Sequence, residues 1–237
     1  MATSFDGLNI TDVRFGTIPA DRLYKGNTLI WERNKRLPVE YQEVEYIEST
    51  GTQYIDTDVN VSTNNKIIMD LQFTDATYQQ INGGYYIYRP SSTSYTVRND
   101  IGVASTGMFF MGASTTSITT DVTADTNRHT FMIDATTGEW SIDDVSGSVP
   151  PTTHSDYEVT LLIGARRGRN VNGRILAPAT YCEEKIYNVK IYTSGNLVRD
   201  FIPCYRKSDD VIGLYDLVND AFYTNAGTGT FTKGGDI

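Results

Sequence analysis

Residues 41–58 read YQEVEYIESTGTQYIDTD, two short extended runs around a Ser-Thr-Gly-Thr turn. Successive side chains of a strand alternate between its faces. In the first run Tyr41, Glu43, Glu45 and Ile47 are therefore expected to point one way, and Gln42, Val44 and Tyr46 the other. Gly51 supplies the backbone freedom that a tight reversal needs. Tyr54-Ile55 resume an extended run ahead of Asp56 and Asp58.

Similar signals recur from residue 38 onward, with little helical periodicity. Lys66–Phe73 puts Ile67, Met69, Leu71 and Phe73 on one face and Ile68, Asp70 and Gln72 on the other. Gly83-Gly84 precede a Tyr-Tyr-Ile-Tyr-Arg run, and residues 107–112 form a continuous apolar stretch between turns, as a core strand does. His129–Asp134 and Glu139–Asp143 flank Ala-Thr-Thr-Gly as a hairpin, and residues 159–164 read as a further core strand. Lys185–Thr193 alternates Ile186, Asn188, Lys190 and Tyr192 against Tyr187, Val189 and Ile191. Residues 212–225 turn back through Asn219-Asp220. Many short strands at this spacing predict an all-β sandwich or barrel.

Composition agrees and narrows the function. In 237 residues there are 20 Gly, 16 Tyr and only 7 Pro, a balance of strands and turns rather than helices. The net charge of −9 argues against a nucleic-acid binder, which needs cations to displace phosphate counterions, and against docking on anionic membranes. The first residues, MATSFDGLNITDV, lack the basic start and apolar core of a secretory signal. No run approaches the roughly 20 apolar residues that span a bilayer. Synthesis in a cytoplasm is expected, and in that reducing setting Cys182 and Cys204 are expected as buried thiols rather than a bridge.

Residues 1–36 differ from the remainder, 37–237. Val13 and Phe15 share a face of a short strand ended by Ile18-Pro19, and RLYKGNTLIW at 22–31 reads as a hairpin around Gly26-Asn27. So small a piece buries too little apolar surface to fold alone. Leu23, Tyr24, Leu29, Ile30 and Trp31 therefore form a candidate docking or oligomerisation interface. Packing of the hairpin on its own domain is the alternative. The charged stretch ERNKR, then Leu37-Pro38, marks the boundary.

Several separated blocks carry a family resemblance that covers roughly residues 38–234. They are LPVEYQEVEYIESTGTQYIDT (37–57), RHTFMIDATTGEWSIDD (128–144), LLIGARR (161–167) and EEKIYNVKIYTSGNLVRDFIPCYRKSDDVIGLYDLVNDAFYTNAGTGTF (183–231). Together they resemble the concanavalin A-like lectin/glucanase sandwiches, most closely the laminin-G-like form found in bacteriophages and bacteria of the gut. The last block is the most specific. The resemblance implies a jelly-roll sandwich of two antiparallel sheets whose first and last strands are adjacent. The hairpin Tyr24-Lys25-Gly26-Asn27-Thr28-Leu29-Ile30-Trp31 is similar to short N-terminal modules of phage tail-fibre and head-fibre proteins. Laminin-G-like domains also hold calcium through loop carboxylates. Asp143-Asp144 and Asp209-Asp210 are acids of that kind, but no oxygen-ligand loop is defined and no metal is assigned.

Candidate sites follow from residue chemistry. Glucanases of this fold place catalytic carboxylates on one strand in a Glu-x-Asp-x-x-Glu pattern, and Glu43-Val44-Glu45-Tyr46-Ile47-Glu48 is the nearest match. Its central residue is not Asp, and the segment aligns with the opening strand, so these are read as solvated strand-face acids and no enzyme is expected. His129, at a strand start, is read as hydrogen-bonded structure. Carbohydrate sites pair an aromatic platform with polar partners for hydroxyls. Tyr85, Tyr86, Tyr88, Tyr95, Asn99 and Asp100 have that chemistry, with cross-strand packing of the tyrosines as the alternative. Arg166, Arg167, Arg169 and Arg174, expected in a loop after the strand at 159–164, are a candidate contact for an anion or a neighbouring subunit.

The expectation is a non-catalytic virion surface protein, a capsid or tail decoration or fibre made in the host bacterial cytoplasm. Residues 1–36 would dock it to other virion proteins, the chain would be a trimer or dimer, and the sandwich would meet host or mucosal glycans. A glycan hydrolase of the same fold and a ligand-free decoration protein are the competing readings.

Overall fold

A computed structural model describes residues 4–5, 8–9, 14–15, 18–19, 22–32, 36–77, 80–88, 95–114, 116–150, 159–169, 175–178 and 180–237. The chain divides into two compact units, Met1–Pro38 and Val39–Ile237. The first contains three successive ladders: β1 (Ser4–Phe5) with β2 (Leu8–Asn9), β3 (Arg14–Phe15) with β4 (Ile18–Pro19), and β5 (Arg22–Lys25) with β6 (Thr28–Glu32). Ile18-Pro19 thus pairs back on the preceding strand rather than merely ending it. Gly26 takes a φ of 63° in the last turn, as the Gly-Asn loop requires.

The second unit opens with β7 (Tyr41–Glu43), β8 (Ile47–Thr50) and β9 (Ile55–Asn60). Next come β10 (Asn65–Phe73), β11 (Ile81–Tyr88), β12 (Tyr95–Val103), β13 (Met108–Ser114) and β14 (Thr116–Thr123). The middle holds β15 (Arg128–Asp134), β16 (Glu139–Ile142), β17 (Val145–Ser148), β18 (Thr160–Ile163), β19 (Ala165–Arg169) and β20 (Thr180–Tyr181). The end supplies β21 (Glu183–Thr193), β22 (Asn196–Arg206), β23 (Val211–Asp216), β24 (Ala221–Thr224) and β25 (Thr232–Lys233).

These strands form a β-sandwich. The larger sheet runs β17-β16-β15-β10-β21-β22-β23-β24, with β7 on β22, and β8 between β21 and β25. The smaller runs β14-β13-β12-β11-β19-β20, and β9 pairs with β18 beside it. Among the described residues every pairing is antiparallel except that of β19 with β11. β10 follows its sequence pattern: Ile67, Met69, Leu71 and Phe73 are buried. They face Ile101, Val103, Phe109 and Met111 of the smaller sheet within one core. Phe73, Phe109 and Phe131 meet there with ring centroids 5.1–6.0 Å apart.

Two expected alternations break. Val44 and Ile47 are both fully buried although three residues apart, because the chain bends at Glu45 between β7 and β8. On β21, Ile186 is buried, but so are Val189 and Ile191. The register against β10 slips by one residue between Leu71↔Ile186 and Asp70↔Asn188, so Tyr187 forms a bulge and the buried face switches parity. The Ser-Thr-Gly-Thr turn leads from the larger sheet into the β9–β18 pair. Buried Gln53 fills it, its Oε1 accepting from Thr50 N at 2.9 Å and its Nε2 donating to Thr230 O at 3.1 Å.

The last residues close on the first. Glu45 N donates to Gly235 O, Gly234 N to Tyr46 O and Ile237 N to Glu43 O. Phe231, just ahead of β25, is buried in the core. Cys182 and Cys204 are both buried and unbridged.

Candidate functional site

On β12, Ile101 and Val103 point into the core, so Asp100 and Gly102 lie on the face of the smaller sheet turned away from it. Register places Asp100 between Gly83 of β11 and Gly112 of β13. Across Gly83 stands Arg166 of β19. The row Arg166–Gly83–Asp100–Gly112 thus crosses four adjacent strands. The glycines are needed for close approach rather than for flexibility alone. A Cβ on Gly112 would collide with Asp100 Oδ1 and come within 2.6 Å of Arg98 Cδ. Gly83 takes a φ of 110°, which side chains disfavour.

Asp100 has no exposed side-chain surface, whereas Arg98 and Arg166 beside it are 21% and 19% exposed. Arg166 Nη1 donates to Asp100 Oδ2 at 3.3 Å. Arg98 Nε stands 3.9 Å from Oδ1, close enough to attract but too far to bond, and Oδ1 accepts no hydrogen bond from the described residues. Burial raises the Asp100 pKa against the pull of both guanidiniums.

The structure sends the two expected sugar-site residues with described side chains to opposite faces. Asn99 turns inward, where its Oδ1 accepts from Ser62 N at 3.0 Å, and Asp100 lies on the opposite face. Gly83 and Gly84, expected to precede a strand, lie within β11. Tyr85, Tyr86 and Tyr88 are on β11 and Tyr95 on β12, with their side chains outside the described part of the structure. Register sets Tyr85 opposite Arg98 and Tyr88 opposite Tyr95.

The arginine run is a correction: residues 165–169 are strand β19, not a loop, because they pair in parallel with β11. Alternation then sends its arginines to different partners. Arg167 Nη1 donates to Asp56 Oδ2 at 2.8 Å and to Thr160 Oγ1 at 2.9 Å, tying β19 to the β9–β18 pair. Arg169 lies at the end of β19, and Arg174 lies outside the described residues. Of the docking residues, Leu23 is half-buried and Tyr24 exposed on β5, while Leu29, Ile30 and Trp31 lie on β6.

The other acids singled out in the sequence lie elsewhere. Glu43 is on β7 and Glu48 on β8, with Glu45 at the bend between, and Thr232 Oγ1 donates to Glu48 at 3.3 Å. Asp143 Oδ2 lies 2.6 Å from His129 Nδ1, and Asp125 Oδ1 lies 2.9 Å from Nε2. Burial lowers the His129 pKa, but the two carboxylates outweigh it and raise the value overall. Arg206 forks both oxygens of Asp209 at 3.0 and 2.7 Å. Among the described residues no three His, Cys, Asp or Glu side chains gather to hold a metal ion.

Sequence patterns passed over two buried acids, Asp216 and Glu184. Glu184 of β21 accepts from Asn82 Nδ2 of β11 at 2.7 Å, a bond between the two sheets. Asn82 Oδ1 in turn accepts from Gly164 N at 2.6 Å. Burial drives the Glu184 pKa up to about 8. Glycines at 83, 102 and 112 inside strand patterns are the signal that marks the Asp100 row. The chain matches no model of a protein family, and no curated protein matches it.

Proposed function

We propose that this protein is a non-catalytic component of a virion surface, a capsid or tail decoration or fibre. In this reading its sandwich is displayed to host or mucosal glycans. The observation that carries it is the division into a compact unit from Val39, which holds the sandwich, and a preceding unit of short ladders. Ladders of two to five residues bury too little to be stable alone, so that unit gains its order from a partner surface. Docking through residues 1–36 onto other virion proteins, in a trimer or dimer of the chain, meets that need. The unbridged cysteines fit synthesis in a reducing cytoplasm. Deleting residues 1–36 is expected to remove the protein from purified particles while its melting transition persists. Incorporation at the wild-type level would refute the docking role.

A further inference from the structure

We propose that His129 is a proton-operated latch at the corner where the chain crosses from the smaller sheet to the larger. It holds that crossing closed only while both ring nitrogens carry protons.

The crossing is the connection 124–127 between β14 and β15. His129 stands just beyond it, edge-on to Phe109 and Phe131 with ring centroids 5.4 and 5.9 Å away. Its Nε2 lies 2.9 Å from Asp125 Oδ1 in the crossing, and its Nδ1 lies 2.6 Å from Asp143 Oδ2 in the β16–β17 turn. An ionised carboxylate only accepts hydrogen bonds. The charged imidazolium donates from both nitrogens and satisfies both acids. The neutral ring donates from one and turns a lone pair on the other acid. The two turns are therefore tied together only by the protonated ring.

Geometry also decides which tie is lost. Asp143 is anchored on β15, its Oδ1 accepting from Thr130 N at 2.8 Å and its N donating to Thr130 O. Asp125 otherwise bonds within its own turn, to Asn127 N and Nδ2 at 2.7 and 2.8 Å. Its side chain is 43% exposed and can turn to water without leaving a buried oxygen unpaired. The neutral ring accordingly keeps its proton on Nδ1 for Asp143 and releases Asp125. Ala124 N on Gly107 O and Gln72 Nε2 on Thr126 O still hold the ends of the crossing, so it loosens in the middle.

Among the described residues, the charges that act on the ring are these two acids. Asp70 on neighbouring β10 is forked by Arg128, β13 presents Phe109, and Asp121 and Asp144 stand exposed. Burial pulls the ring's pKa down and the two acids more than restore it. The latch is thus closed below the ordinary histidine value of 6.5 and opens as pH climbs through the raised one. One corner moves, not the whole fold.

The test is an NMR titration of the full chain from about pH 5 to about pH 9. The His129 ring should titrate above 6.5, and its neutral form should carry the proton on Nδ1. Hydrogen-exchange protection of the Ala124 amide should stay below that of β10 and β21 and fall about tenfold along the ring's own curve. Asp125→Asn should abolish that step, because a side-chain amide accepts from the charged ring and donates to the neutral one. A ring midpoint at or below 6.5, a neutral ring protonated on Nε2, a flat Ala124 profile, or a step that survives Asp125→Asn overturns the latch. Ala124 exchanging at the same protection as β10 and β21 also overturns it, since the opening would then be global.

Discussion

Glu184 keeps a proton where most carboxyls have lost theirs, because ionising it would place a charge in the core. Asn82 Oδ1 is committed to Gly164 N, so its amide nitrogen must meet the Glu184 carboxyl. The unfolded carboxyl releases its proton near 4.5 and the folded one near about 8. Between these values the native state holds the extra proton, so stability falls as pH rises, by on the order of 1 kcal/mol per pH unit. Glu184→Gln retains the bond to Asn82 and should flatten this slope in urea midpoints taken from about pH 5 to about pH 9. His129 adds the same sign. Its raised pKa means that its ion pairs stabilise fully below about 6.5 and are lost as pH climbs through the folded value. Asp125 and Asp143 run opposite: burial raises them, the His129 contacts overcome it, and their lowered pKa values withdraw stability as pH falls. A stability maximum on the acid side of neutral is therefore expected, and in His129→Gln the loss on either side of it should become shallower, leaving Glu184 to carry most of the decline toward neutral.

Strands differ in how much of their placement is local. β10 packs as its alternation predicts, and the β15–β16 and β23–β24 hairpins form around the expected turns. Their information is local: a period of two and a turn residue. The Tyr187 bulge was hidden because one extra residue changes parity without changing composition. The placement of β19 was hidden for another reason, since its partner β11 lies some 80 residues away and pairs in parallel. The Asp100 row inherits that opacity. Asp100 and Arg98 are visible in the sequence, but Gly112 and Arg166 reach them only through register. Edge strands show a further device. β14 is a long outer strand, and its register against β13 slips between Phe110↔Thr119 and Met108↔Thr123. Thr120 Oγ1 donates to Phe109 O at 2.9 Å and accepts from Val122 N at 3.2 Å, fixing the irregularity. Thr120→Val should cost about 1 kcal/mol in unfolding free energy. It should also increase self-association in light scattering, because a bulge keeps an open edge from pairing with another chain.

Across the whole sandwich, the seam between residues 43–46 and 234–237 joins the two ends of one sheet region. Removing residues 232–237 strips β25 from β8 and uncovers Phe231, and should lower the unfolding free energy by several kcal/mol, at about 1 kcal/mol per lost backbone bond plus the exposed ring. Read as wiring, that seam makes Val39–Ile237 almost a ring, with Ile237 N only 3.1 Å from Glu43 O. A ring has no privileged starting point. A permutant joining Ile237 to Val39 through about six flexible residues, and opened at the exposed Ser194-Gly195 turn, should fold to the same sandwich. Its ends would then emerge from the β21–β22 turn, so the same domain could be tethered by a different corner and present another side to its surroundings.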